Sequence, residues 1–209
     1  MIRLAHISDT HISESGRPQD LALVLDAFLV DARACKVELM VHAGDFFDRR
    51  STPAERLVLA KFLQRAAEQM PVFGVRGNHD SPQDLDLFNQ LTSASLITIQ
   101  DRPTIPGQDV WMAYDCTSTE RPEARFFGCV ALPWFDKAHL VSTLDASVDQ
   151  EHTRLLTNEA AVQLLSGLRA AVAVVREQGR IPILVAHAMV AGSETSTGQT
   201  IQGTTVELS

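Results

Sequence analysis

Three short apolar runs, each ending in a cluster of Asp, Asn and His, constrain this chain more than any other feature. Ile2 to Ser8 runs into Asp9-Thr10-His11, and Val37 to Ala43 into Gly44-Asp45-Phe46-Phe47-Asp48. Pro71 to Val75 is followed by Arg76 and then Gly77-Asn78-His79-Asp80. Short apolar, β-branched runs bounded by turn formers read as buried strands. Between the first two lies Gln19 to Ala34, with Leu21, Val24, Leu25, Phe28 and Leu29 at helical spacing, an amphipathic helix for one sheet face. Thr52-Pro53 supplies a cap and a first-turn proline for a second helix reaching about Glu68. The order βαβαβ implies parallel strands joined by right-handed crossovers, an α/β fold. Open sheets of this kind place ligands at the carboxyl ends of their strands. Those ends are where the polar clusters fall.

The rest of the chain changes rhythm. Leu85 to Leu91 reads as a short helix and Leu96 to Ile99 as a strand. Val110 to Tyr114 and Phe126 to Leu132 read as two antiparallel strands across a polar loop, closed by Pro133-Trp134-Phe135. Asn158 to Glu177 is a long helix whose start can lie as early as Gln150, and Gly179 stands where a C-terminal cap belongs. Ile181 to Ala186 is a further buried strand ending on His187, and Gly192 to Thr205 is loop by composition. At 209 residues, with 45% hydrophobic and 21% charged residues, one globular domain is expected. The net charge of -8 argues against broad nonspecific attraction to nucleic acid, although bound cations invert the local field of an acidic pocket. Cys35, Cys116 and Cys129 are too few for a disulfide framework and read as buried thiols in a reducing compartment. With no leader pattern and no run of membrane-spanning length, a cytoplasmic location without membrane contact is expected.

The polar clusters carry the chemistry. A spacing of two puts Asp9 and His11 on one side of an extended segment, where they can chelate one ion. Asp45, leaving the neighbouring strand, can bridge that ion to a second held by Asn78 and His187. Oxygen ligands mixed with imidazole suit Mn²⁺, Fe²⁺ or Zn²⁺, and two ions about 3.5–4 Å apart form a clamp for phosphoester hydrolysis. His79, beside Asn78, can donate a proton or coordinate. His6 and His42 lie three residues before a metal Asp, an odd offset that turns them to the opposite face, so core packing is expected for both. His139 and His152 sit in polar, exposed segments. Arg49, Arg50 and Arg76 flank the clusters and can hold substrate phosphates. Phe46 and Phe47 are expected to pack beneath the site, while Trp134 can pack or stack on bases.

In order and wording these motifs resemble those of the calcineurin-like metallophosphoesterases. Leu4 to His11 and Phe46-Phe47-Asp48 are most similar to the bacterial SbcD nuclease subunit, with Ala131 to Phe135 a weaker match. The resemblance implies a four-layer α/β/β/α sandwich with mixed sheets flanked by helices. It implies a two-metal, usually Mn²⁺-dependent, DNA exo- or endonuclease that hydrolyses phosphodiesters through in-line attack by a metal-activated hydroxide. Carried over, Asp9 and His11 hold the first metal, Asp45 bridges, and Asn78 and His187 hold the second. His79 would contact the phosphate and protonate the leaving oxygen, with Asp80 orienting its imidazole. The implied partners are DNA, an SbcC-like ATPase subunit and a second copy of the chain, in DNA repair and recombination.

The resemblance has one departure: the family's final Gly-His-x-His pair has no match after His187. Residues 1–209 therefore resemble a catalytic domain without its C-terminal portion, expected to bind metal weakly or at one position, with a mobile tail. Two other readings stay open: another phosphoesterase, acting on phosphoproteins, nucleotides or cyclic nucleotides, and a catalytically impaired metal-binding remnant.

Overall fold

Strand periodicity decides the layering. In β2 (Leu39–His42), Leu39 and Val41 face one way and Met40 the other, and both sides are buried. A strand covered on both faces reads as a continuous apolar run, as this one does. The computed structural model describes residues 2–16, 18–90, 96–104, 111–114, 126–134, 150–190 and 207–208. Around β2 stand β1 (Leu4–Ile7), β3 (Val72–Val75) and β4 (Ile97–Gln100), in the order β1-β2-β3-β4 with every pairing parallel. Helices α1 (Pro18–Ala34), α2 (Pro53–Ala67) and α3 (Pro82–Gln90) connect these strands in turn and cover one face. Leu25, Leu29, Leu59, Leu63, Leu85 and Phe88 pack there against Met40, Val72, Ile97 and Ile99.

The other face meets a second sheet, β5 (Trp111–Tyr114), β6 (Phe126–Leu132) and β7 (Ile181–Ala186). Leu39, Val41, Phe73 and Val75 of the first sheet pack against Phe127, Cys129, Ala131 and Val185 of the second. The alternate residues Val130 and Leu132 point outward to α4 (Gln150–Glu177), meeting Leu168, Ala171 and Val175. Gly128 admits a close helix–strand approach: an added Cβ there would lie 2.5 Å from Val175 Cγ1. The layers are thus α/β/β/α. Truncating one of the fully buried Leu or Phe residues would cost about 2–5 kcal/mol.

Local signals account for the element ends. Thr52 caps α2 in a reciprocal box with Glu55, and Gly179, at a φ of 70°, turns the chain out of α4. Several expectations need correction. Among the described residues the first sheet is all parallel and the second is mixed, β5 being antiparallel and β7 parallel to β6; in the first sheet each connection carries a helix that returns the chain to the same edge. β1 and β7 are less buried than their apolar sequences predict, because among the described residues they are the outer strands of their sheets: Leu4, His6, Ile181 and Leu184 are exposed. His6 is therefore not a core residue, whereas His42 is. Val24 lies ~100° around α1 from Leu25 and faces solvent. Cys35, in the turn after α1, is exposed, and Cys129 is buried. Cys116 and His139 fall outside the described residues, as does the expected loop from Gly192 to Thr205. Beyond His187, β8 (Met189–Val190) pairs in parallel with β9 (Glu207–Leu208). No helix of the described residues is long and apolar enough to cross a membrane.

Candidate metal centre

The loop leaving β2 is the hub. The amides of Asp9, His11 and Ile12 donate to the carbonyls of Gly44, Asp45 and Phe46, zipping the β1 loop onto the β2 loop. Asp80, buried in the β3 loop, accepts from Phe47 N–H through Oδ1 at 3.0 Å and from Gly77 N–H through Oδ2 at 2.9 Å. From the β7 end, His187 Nδ1–H donates to the Ala43 carbonyl at 2.7 Å. Parallel strands deliver four loops to one edge, and backbone hydrogen bonds then set their mutual register. Two glycines permit this approach. An added Cβ on Gly77 would lie 2.1 Å from Asp45 N and Oδ1, and one on Gly44 would lie 2.4 Å from His187 Nδ1.

Between these loops, lone pairs converge. Asp45 is 3% exposed, and its Oδ2 lies 3.8 Å from His11 Nε2 and 3.7 Å from His187 Nε2. His11 Nε2 is 3.9 Å from Asp9 Oδ1, and His187 Nε2 is 2.9 Å from Asn78 Oδ1. With its Nδ1–H committed to Ala43, a neutral His187 offers only a lone pair at Nε2. Carboxylate and amide oxygens likewise only accept. Separations near 3.8 Å are too long for hydrogen bonds and leave room for a cation between the groups. The Asp45 carboxylate is thus shared by an Asp9–His11 side and an Asn78–His187 side. His11 Nδ1 is a further buried atom without a hydrogen-bond partner, 3.8 Å from Asp48 Oδ1. This donor set fits two divalent cations: Asp9, His11 and Asp45 would hold one, and Asp45, Asn78 and His187 the other.

Backbone strain points to the same place. Asp9, His11 and Asp45 have φ values of 53°, 41° and 54°, in the left-handed region that non-glycine residues seldom occupy. Such positions cost of order 1–3 kcal/mol each and persist where the surroundings over-determine them.

The neighbouring residues divide. His79 is exposed at the rim, its ring edge-on to that of His11 at 5.1 Å, and its N–H donates to Asp45 Oδ1 at 3.0 Å. Its Nδ1–H donates to the Asp48 carbonyl at 2.7 Å, which leaves Nε2 for proton transfer. Asp80, expected to orient that imidazole, does not touch it. Both its oxygens are spent on the backbone of Phe47 and Gly77, so its work is to lock two loops together. Burial raises the Asp80 pKa against the backbone amides that favour its anion, and the nearby Asp45 raises it further. Arg49 and Arg50 are exposed beside Asp48. Arg76 instead turns to protein: its Nη2 donates to the Trp134 carbonyl at 2.6 Å, its own carbonyl accepts from Trp134 N–H at 2.8 Å, and its Nε is buried without a partner. Trp134 is half-buried with its ring 5.9 Å from that of His187. Phe46 and Phe47 lie fully buried beneath the site. Asp48 was given no role by its sequence position; the sole signal was its place three residues after Asp45 in the same loop.

The chain is similar in sequence to known proteins. The profile of the calcineurin-like phosphoesterase family matches residues 2–190. The DNA double-strand break repair protein Mre11 of Methanosarcina acetivorans is 31% identical over 63% of this chain and 24% of its own length. Mre11 of Saccharolobus solfataricus is 28% identical over 79% of this chain and 43% of its own length. The chain thus spans less than half the length of these relatives. Among solved structures, a dimetal phosphatase from Danio rerio aligns over 90% of this chain and 70% of its own, at 16% identity and a TM-score of 0.45. The family match takes in all four strand ends that feed the centre, and the chain belongs to the calcineurin-like phosphoesterase family.

Proposed function

We propose that this chain is a two-metal phosphodiesterase acting on DNA, of the SbcD type, with Mn²⁺ as the first candidate ion ahead of Fe²⁺ and Zn²⁺. The observation that carries the reading is the shared Asp45 carboxylate, with His11 on one side, His187 on the other and His79 at the open rim. Similarity to proteins named for DNA double-strand break repair favours DNA over other phosphoesters. In that reading the partners are DNA, a second copy of the chain and an SbcC-like ATPase subunit.

When bound, the two cations supply Lewis-acid polarisation of the phosphoryl oxygens and a water of lowered pKa. The chain's own residues do the rest. Asp9, His11, Asp45, Asn78 and His187 orient the reaction centre, and Asp45 Oδ1 is kept in place by the His79 backbone N–H. His79, doubly protonated, keeps Nδ1–H on the Asp48 carbonyl and gives its Nε2 proton to the leaving oxygen, which returns the ring to its neutral form. Arg49 and Arg50, exposed next to Asp48, bind phosphates flanking the scissile one. Asp80 and Arg76 keep the loops fixed, so little reorganisation remains for the reaction itself.

Single-stranded DNA, blunt duplex and p-nitrophenyl phosphate, each incubated with the chain in Mn²⁺ and in EDTA, test the reading. Mn²⁺-dependent shortening of DNA supports it. Turnover of p-nitrophenyl phosphate with DNA left intact would assign a different phosphoesterase, and no turnover of any substrate would leave a non-catalytic metal protein.

A further inference from the structure

We infer that His42 is a positioning residue for the cation held by Asp9, His11 and Asp45, acting through a closed hydrogen-bond chain that joins the β1 and β2 loops. The inference rests on the two-cation reading above and concerns a residue outside the donor set. His42 is completely buried, its ring stacked on Phe46 at 3.7 Å and 12°. Gly44 N–H lies 3.3 Å from its Nδ1, and Thr10 Oγ1 lies 3.2 Å from its Nε2. Thr10 has the Phe46 carbonyl at 3.1 Å to receive its own hydroxyl hydrogen. One arrangement satisfies all three contacts: Gly44 N–H donates to Nδ1, Nε2–H donates to the hydroxyl, and the hydroxyl donates to the carbonyl. The ring must be neutral for this. Burial first, and then the neighbouring imidazoles of His6 and His187, which disfavour a further positive charge, hold its pKa down to about 3 and keep it so.

The residues tied are the ones that matter. Thr10 stands between Asp9 and His11, and Gly44 immediately precedes Asp45; all three neighbours carry the strained φ values. Strain persists only where surroundings over-determine it, and the His42 chain supplies that constraint from below. An apolar side chain of similar size would fill the volume but leave the Gly44 amide without its acceptor and cut the Thr10 hydroxyl off from the β2 ring, with only backbone carbonyls left to it. The Asn78–His187 side has no such link to His42; His187 is anchored on the Ala43 carbonyl.

This asymmetry sets the test. Mn²⁺ binding, followed by calorimetry and by the EPR signal of free ion, is measured on the full chain in two backgrounds: His187→Ala, which isolates the Asp9–His11 side, and His11→Ala, which isolates the other. In the first, His42→Leu is expected to weaken Mn²⁺ binding roughly 10- to 100-fold, as losing a hydrogen-bonded support of a metal ligand does. In the second, the loss should be several-fold smaller, because only the shared Asp45 reaches that side. Thr10→Val should act in the same direction, and the double variant should be no weaker than His42→Leu alone, because both break one chain. Should His42→Leu not fold, Thr10→Val in both backgrounds makes the same comparison. Equal losses in both backgrounds, or a lower melting temperature with unchanged affinity, would overturn the inference, as would a wild-type chain that takes up no Mn²⁺. These titrations use no substrate. A failure of the DNA reading alone would therefore appear in the digestion assays and leave them unmoved.

Discussion

Asn78 Oδ1 stands 2.9 Å from His187 Nε2, although 109 residues separate them in the chain. The other nitrogen of His187 is committed to the Ala43 carbonyl, so in the neutral ring two lone pairs face each other, with the Asp45 carboxylate 3.7 Å away. A cation removes that repulsion. Asn78→Leu should therefore lower affinity for one of two ions, by at least the roughly 10-fold expected for a weakened ligand set, with little change in melting temperature because Asn78 is exposed. Tighter or unchanged Mn²⁺ binding in this variant would show that the amide is not a ligand.

Asp45 serves both sides of the centre, so Asp45→Asn should do more harm than any other single ligand change. The amide can still accept from the His79 N–H but no longer brings a charge between the ions. Tight binding of at least one ion should disappear, and with it hydrolysis. Full Mn²⁺ occupancy with wild-type turnover would refute the bridging role.

In the proposed mechanism His79 acts on the leaving group and not as a ligand, although its ring lies within metal-sharing reach of His11 and Asp48, and its Nδ1 is held by a backbone carbonyl. His79→Ala is expected to keep Mn²⁺ stoichiometry while losing roughly 10²–10⁴-fold in kcat. Asp48→Ala should cost less, because it leaves the anchoring carbonyl in place. Calorimetry beside the kinetics decides: a missing ion in His79→Ala would move His79 into the coordination sphere.

Gly77 allows the β3 loop to touch the Asp45 backbone. In Gly77→Ala the new methyl would sit 2.1 Å from Asp45 N and Oδ1, and relief requires the loops to part. We expect a stability loss of about 1–3 kcal/mol and a larger loss of metal affinity than Gly179→Ala, whose Cβ meets nothing. Urea melts paired with Mn²⁺ titrations would measure both.

Stability should fall in mild acid. His42 has a folded pKa of about 3 against the usual 6.5, so its contribution is complete above pH 6.5 and is lost as pH falls toward 3, when the unfolded chain takes up the proton first. The slope from this group is at most about 1.4 kcal/mol per pH unit. Asp80 works in the opposite sense: with its pKa raised by burial, its contribution is present in acid and lost as pH climbs through the carboxylate range. Urea midpoints of the wild type between pH 7 and 4 should decline, and His42→Leu should flatten that decline. An equal slope in the two proteins would remove His42 as the cause.

Much of this centre was legible beforehand because strands and loops alternate regularly. Strands β1 to β3 end where the apolar runs give way to Asp9, Asp45 and Asn78, and parallel crossovers oblige those ends to share an edge. Helix ends were legible too, since Thr52 and Gly179 act through local backbone geometry. Donor types follow from residue identity alone.

Sheet position and side-chain direction were not legible. Ile2 to Ser8 and Ile181 to Ala186 are as apolar as β2, yet burial depends on whether a strand lies inside a sheet or at its rim, which pairing with distant segments decides. His6 and His42 have the same offset from Asp9 and Asp45 respectively, and only their strands' places in the sheet make one exposed and the other a fully buried link between loops. Asp80 and Arg76 read as chemical groups in the sequence. Tertiary contact turned them to Phe47, Gly77 and Trp134, because a buried backbone amide or carbonyl left without a partner costs more than an exposed side chain gains elsewhere. Sequence determined which atoms could meet at this edge; long-range packing decided which of them face the cation and which hold the loops that do.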